Sequence, residues 1–185
     1  CEAVAKAKYD AAIVAADAAY DEAITKAQAR YDETMQDAGM QYRTDIQKAE
    51  AVFDGRMAEI RADYAIAESK AAAERDAKTA QALQQYNAGQ INLGQYHAAV
   101  NQAKAAYNSA VNQALAKGYA DEAVAWATRT KAYIDADNDL SRSRTGAERE
   151  RTEKKAEAQK EKRTAYANAW AEYQEALAEC RKKHK

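Results

Sequence analysis

The sequence predicts an all-α protein, a long antiparallel two-helix hairpin or coiled coil built on an 11-residue (hendecad) repeat. Three observations carry that prediction. The 185-residue chain has no proline and only six glycines. An aromatic side chain recurs every 11 residues through its first third. One cluster of turn residues lies near the middle, and Cys1 and Cys180 lie near the two ends.

Composition sets the kind of core. The chain holds 49 alanines but only 18 valines, isoleucines and leucines together. Alanine buries little area, so a thick globular core is not expected. Alanine-rich helices can instead approach closely and pack as thin pairs. Ala, Gln, Glu, Lys and Arg are good helix formers, and they dominate. Twelve tyrosines argue against a disordered chain, which is usually poor in aromatics. The net charge of −1 gives no support for a nucleic-acid partner. No apolar run approaches the length of a membrane span.

The first limb is expected over residues 2–87. Tyr9, Tyr20, Tyr31, Tyr42, Phe53 and Tyr64 stand 11 residues apart. Four residues after them come Ile13, Ile24, Met35, Ile46 and Met57. Four residues before come Ala5, Ala16, Ala27, Ala38, Ala49 and Ile60, and Ala71 and Ala82 continue that row. Residues four apart are neighbours on a helix, so the three rows share one face. Eleven residues in three turns nearly match a straight α-helix, so the stripe hardly drifts and favours straight or slightly right-handed packing. Tyr9, Ile13, Tyr20, Ile24, Tyr31, Met35, Tyr42, Ile46, Phe53, Met57 and Tyr64 are therefore assigned as a packing or self-association stripe, with tyrosine hydroxyls at its wet edge.

The turn is placed at 88–94, where two Asn and two Gly within residues 87–94 punctuate the pattern, with Gly89 as a helix C′ residue. The second limb follows over 95–183. Tyr96, Val100, Ala103, Tyr107, Val111 and Ala114 form a stripe that continues less regularly through Leu115, Ala123, Trp126 and Ile134. A weak break is expected at 138–146. A true loop there would fold the last helix back and give three helices, an arrangement ranked second because it leaves much of the first stripe bare.

A pivot at 90–91 places residue i opposite residue 181 − i, which sets Cys1 against Cys180, Tyr9 beside Tyr173 and Tyr86 beside Tyr96. Each limb would run about 130 Å at 1.5 Å per residue. Charge agrees with this pairing. Segment 17–37 has six acids and two bases, and the facing 142–163 has nine bases and five acids. One feature fits less well: Tyr20, Ile24, Tyr31 and Met35 face a stretch that is almost wholly charged. Either long basic stems cover the stripe or another subunit does.

The search for chemistry finds little. His97 and His184 belong to no metal-ligand spacing. Asp135, Asp137 and Asp139 alternate like the start of a calcium loop, but Leu140 occupies the place of the required glycine. There is no phosphate loop and no nucleophile elbow. No metal, cofactor or catalytic residue is expected. Cys1 and Cys180 are assigned to a disulfide, or Cys1 to the lipid attachment of a bacterial lipoprotein. Either use points to an extracytoplasmic location: secreted, cell-surface or periplasmic.

The alanine-, lysine- and glutamate-rich 11-residue repeat resembles those of late-embryogenesis desiccation proteins and exchangeable apolipoproteins. The resemblance covers the first half of the chain and rests on period, not on a motif. The regular tyrosine position, the two tryptophans and the cysteines depart from it. The expected role is a non-enzymatic structural or interaction protein, a helical rod serving as spacer, stalk or self-assembling filament subunit. Its expected partner is a second copy or another helical protein. A lipid on Cys1 is the route to a membrane. The alternative is an amphipathic protein that binds lipid surfaces directly.

Overall fold

The computed structural model describes residues 1–183. They form two helices, α1 (Glu2–Asn87) and α2 (Leu93–Lys183), packed against each other as an antiparallel hairpin. No strand occurs among the described residues.

The turn is closed at both ends by side chains and backbone that its sequence supplies. Gly89 adopts φ 72°, the left-handed conformation that glycine takes without a Cβ clash. Its N–H donates to the Tyr86 carbonyl at 2.9 Å, and the Gln90 N–H donates to the Gln85 carbonyl at 2.9 Å. This is a Schellman closure, which satisfies carbonyls that the helix end would otherwise orphan. α2 then opens with a reciprocal cap. Asn92 Oδ1 accepts from the Gln95 N–H, and Gln95 Oε1 accepts from the Asn92 N–H, both at 2.9 Å.

α2 runs unbroken through 138–146, which corrects the expected weakening there and removes the three-helix arrangement. Asn, Asp and Ser cost only a few tenths of a kcal/mol each inside a helix, on the order of what one turn of packing returns. The Thr145 hydroxyl donates to the Ser141 carbonyl at 2.9 Å, so it stays inside the helix. Arg142 pairs with Asp139 at 3.2 Å and Arg144 with Glu148 at 3.1 Å. Half-buried Leu140 and buried Ala147 keep the inward face apolar. Helical geometry also sends Asp135, Asp137 and Asp139 to alternating sides, so they cannot converge on one ion. No group of potential metal ligands occurs among the described residues.

The described residues fall into two compact units. One joins Cys1–Arg43 to Asp137–Lys185, and the other is Thr44–Ala136. In the first, the buried row is Ala5, Ala16 and Ala27 on α1, with Ala147, Ala158, Ala169 and Cys180 on α2. In the second it is Ile60, Ala71 and Ala82, with Ala103, Ala125 and Ala136. Apart from Ile60, both helices thus carry a small residue every 11 positions, and these let the backbones approach.

Candidate functional site

The seam between the helices is where the chain concentrates its aromatic groups. All eleven residues of the expected stripe, Tyr9 through Tyr64, are half-buried there, against α2. Large apolar residues exposed away from this seam include Val14, Val52 and Ile66.

Six positions of the 11-residue row on α1 meet counterparts on α2, and the residue numbers of each pair sum to 182. In the first unit, Tyr9 packs on Tyr173 with ring centroids 5.3 Å apart. Lys162 Nζ then stands 4.8 Å over Tyr20, and the Arg151 guanidinium 4.3 Å over Tyr31. In the second unit, Arg129 lies 5.0 Å over Phe53. Arg75 and Tyr107 exchange roles at 4.8 Å, with the cation on α1 and the ring on α2. Tyr86 packs on Tyr96 at 5.6 Å. Cations over ring faces are attracted by the ring quadrupole. The charged stretch of α2 therefore covers the aromatic stripe with its basic stems, as the first of the two sequence alternatives requires.

Two rungs carry an added polar cluster of the same design, three repeats apart. Arg129 also lies 5.0 Å from the Trp126 ring and 5.2 Å from the Tyr133 ring. Glu50 accepts hydrogen bonds from Arg129 Nη2 and from the Tyr133 hydroxyl. Arg129 Nε is buried without a hydrogen-bond partner, so the guanidinium is held by rings as well as by charge. In the other cluster, Lys162 pairs with Asp17 at 2.6 Å, and the Tyr166 hydroxyl donates to the same carboxylate at 2.5 Å. Between them in sequence, Arg151 donates to Gln28 Oε1 at 3.3 Å, an amide standing where the others have an acid.

The electrostatics follow from those contacts. Hydrogen bonds from Lys162 and then Tyr166 hold the Asp17 carboxyl below its ordinary range. Arg129 and then Tyr133 do the same for Glu50. The Tyr133 and Tyr166 hydroxyls are pushed up, first by the carboxylate each donates to and then by burial. Burial comes first for Tyr64, whose hydroxyl is also raised. A carboxylate saturated by a cation and a phenol is a fixed acceptor. These clusters are built to hold helices in register.

Cys1 and Cys180 form a disulfide with Cα atoms 5.8 Å apart. Cys180 is buried in the slot that alanine fills elsewhere on α2. His97 lies on α2 with its ring 5.4 Å from that of Tyr96. His184 lies outside the described residues.

Sequence reasoning missed the α2 side of the ladder. From Tyr107 to Tyr173 the 11-residue steps pass through Gly118, Arg129, Leu140, Arg151 and Lys162. Searching that period for cations as well as rings would have found it. Where Gly118 occupies the rung opposite Tyr64, an open groove lined by Ile60, Tyr64 and Ala114 remains.

No helix among the described residues is long and apolar enough to cross a membrane. No family model, curated protein or solved structure matches the chain.

Proposed function

We infer that this chain is a non-enzymatic structural or interaction protein: a two-helix spacer, stalk or self-assembling subunit that works outside the cytoplasm. The observation that carries this inference is the ladder. Its cations, carboxylates and phenols are paired with one another in a repeating register, and such pairing serves to align helices. The Cys1–Cys180 bond supports an oxidising compartment. A second copy or another helical protein is the partner in this scheme. Because the stripe is engaged within the hairpin, outer residues such as Val14, Val52 and Ile66 are the ones open to a second chain.

Sedimentation velocity of the oxidised protein, from low to high micromolar, tests the assembly function. Reversible association is expected. A clean monomer throughout would remove self-assembly and leave a passive spacer.

A further inference from the structure

The buried row and the ladder both repeat every 11 residues, on both helices. Sliding one helix past the other by a single repeat therefore presents similar residues to each other at most rungs, the exceptions lying around Ile60, Arg75 and Gly118. The turn carries a matching duplication. Asn87-Ala88-Gly89-Gln90-Ile91 is followed at once by Asn92-Leu93-Gly94-Gln95-Tyr96, the same Asn-x-Gly-Gln pattern five residues on. The first copy supplies the C′ glycine, Gly89, and the second supplies the cap, Asn92 with Gln95. Gly94 can take the place of Gly89. Moving the turn by five residues lengthens α1 and shortens α2 by that amount, which re-pairs the limbs by ten; one more loop residue makes eleven.

The shifted register keeps the seam chemistry. Tyr31 would meet Lys162, and Tyr42 would meet Arg151. In the other unit, Tyr64 would meet Arg129. In the small row, Ala16 would face Cys180 and Ala27 would face Ala169. What is lost includes the acid of each cluster, because Asp17 and Glu50 leave Lys162 and Arg129, the Arg75–Tyr107 contact, because Arg75 would face Gly118, and the Arg30–Glu150 and Lys117–Asp63 pairs. The Asn92–Gln95 cap is lost as well. Those groups favour the observed register, and the disulfide enforces it. After a shift, Cys180 stands opposite Ala12, and Cys1 lies about 16 Å further along the helix, well beyond the span of a disulfide.

We propose that the hairpin is a redox-gated register switch. With the Cys1–Cys180 bond closed, the limbs keep the observed pairing. With it open, they exchange with a pairing one 11-residue repeat over that turns at Gly94. Packed elements that ratchet by a fixed step between equivalent seats are a known kind of two-state device. The reductant is a dithiol. Its thiolate attacks the exposed Cys1 sulfur and Cys180 leaves as thiolate. The second thiol then closes the reductant into its own disulfide, so two electrons and two protons end on the two cysteines.

Cysteine trapping tests this in the full chain. The double variant Cys1→Ser, Ala12→Cys can join residue 12 to Cys180 only in the shifted register. The variant Ala169→Cys, Cys180→Ser joins residue 169 to Cys1 only in a shift of the opposite sense, for which the turn offers no glycine. Each is oxidised slowly at low micromolar concentration, and the disulfide is located by peptide mass, with helicity followed by circular dichroism. The 12–180 bond is expected in clear excess over the 1–169 bond. Adding Gly94→Ala to the first variant should cut its yield about tenfold, since a side chain in the left-handed conformation is penalised. Equal yields of the two bonds, or an absent 12–180 bond with helicity intact, would overturn the proposal. So would a 12–180 yield that ignores Gly94→Ala.

Discussion

Replacing the glycines one at a time by alanine separates backbone freedom from packing, because their surroundings differ in known ways. Gly39, Gly55 and Gly146 sit inside helices, and an added Cβ at each would meet nothing within 4 Å. Alanine there should stabilise by about 1 kcal/mol through helix propensity alone. At Gly118 the new methyl would lie 3.7 Å from Ile60 Cγ2, an ordinary van der Waals contact. It would also fill part of the groove beside Tyr64. Propensity plus one buried methyl predicts a gain of roughly 1.5–2 kcal/mol. Gly89 reverses the sign, because its φ of 72° strains any side chain, and Gly89→Ala should destabilise by about 1–2 kcal/mol. Urea unfolding followed by circular dichroism gives all five values. In thermal melts each kcal/mol is about 2–4 °C for a chain of this size. Gly118→Ala stabilising no more than Gly55→Ala would refute the assigned packing at that rung. Gly89→Ala stabilising the protein would refute the turn.

Three further outcomes follow from the seam and its clasp. Reducing the disulfide, whose cysteines are 179 residues apart, should lower stability by up to about 5 kcal/mol on the chain-entropy account; melting with and without dithiol checks this, and an unchanged midpoint would contradict it. Asp17 and Glu50 are held below the values of 3.8 and 4.5 from which they are lowered. Their stabilisation is fully present above those values and is lost as pH falls through the lower folded ones, so Asp17→Asn with Glu50→Gln should flatten the acid limb of a stability–pH curve. Arg129→Gln should lower the unfolding midpoint more than Arg142→Gln, because Arg129 joins Phe53 and Glu50 across the seam and lies on Trp126 and Tyr133 of its own helix, whereas Arg142 is mostly exposed and pairs with Asp139 three residues away. Equal effects would argue against the ladder as a register device.

The hairpin was legible because two signals agreed. Tyr9 to Tyr64 gave a period that only a helix satisfies, and Gly89 with Asn92 marked its end. Antiparallel pairing then followed from simple counting, and Tyr9 with Tyr173 and Tyr86 with Tyr96 do meet. The ladder was hidden for a physical reason. Hydrophobic periodicity sorts Arg129, Arg151 and Lys162 with the solvated face, although their stems and charges lie across rings. The alanine row of α2 was read only at Ala103 and Ala114, and the rest was hidden because alanine is both the best helix former and a small core residue. The break expected at 138–146 rested on weak propensities that a packed 91-residue helix overrides.

The bond between Cys1 and Cys180 also decides how the molecule bears load. Tension applied between these two residues runs through a single covalent link, so the rungs feel none of it while that link lasts. Cut the link, and the same pull peels Tyr9 from Tyr173 first and then lifts Lys162 from Tyr20 and Arg151 from Tyr31, one weak step at a time. The clasp therefore sets whether the hairpin resists force as a tether or gives way as a zip.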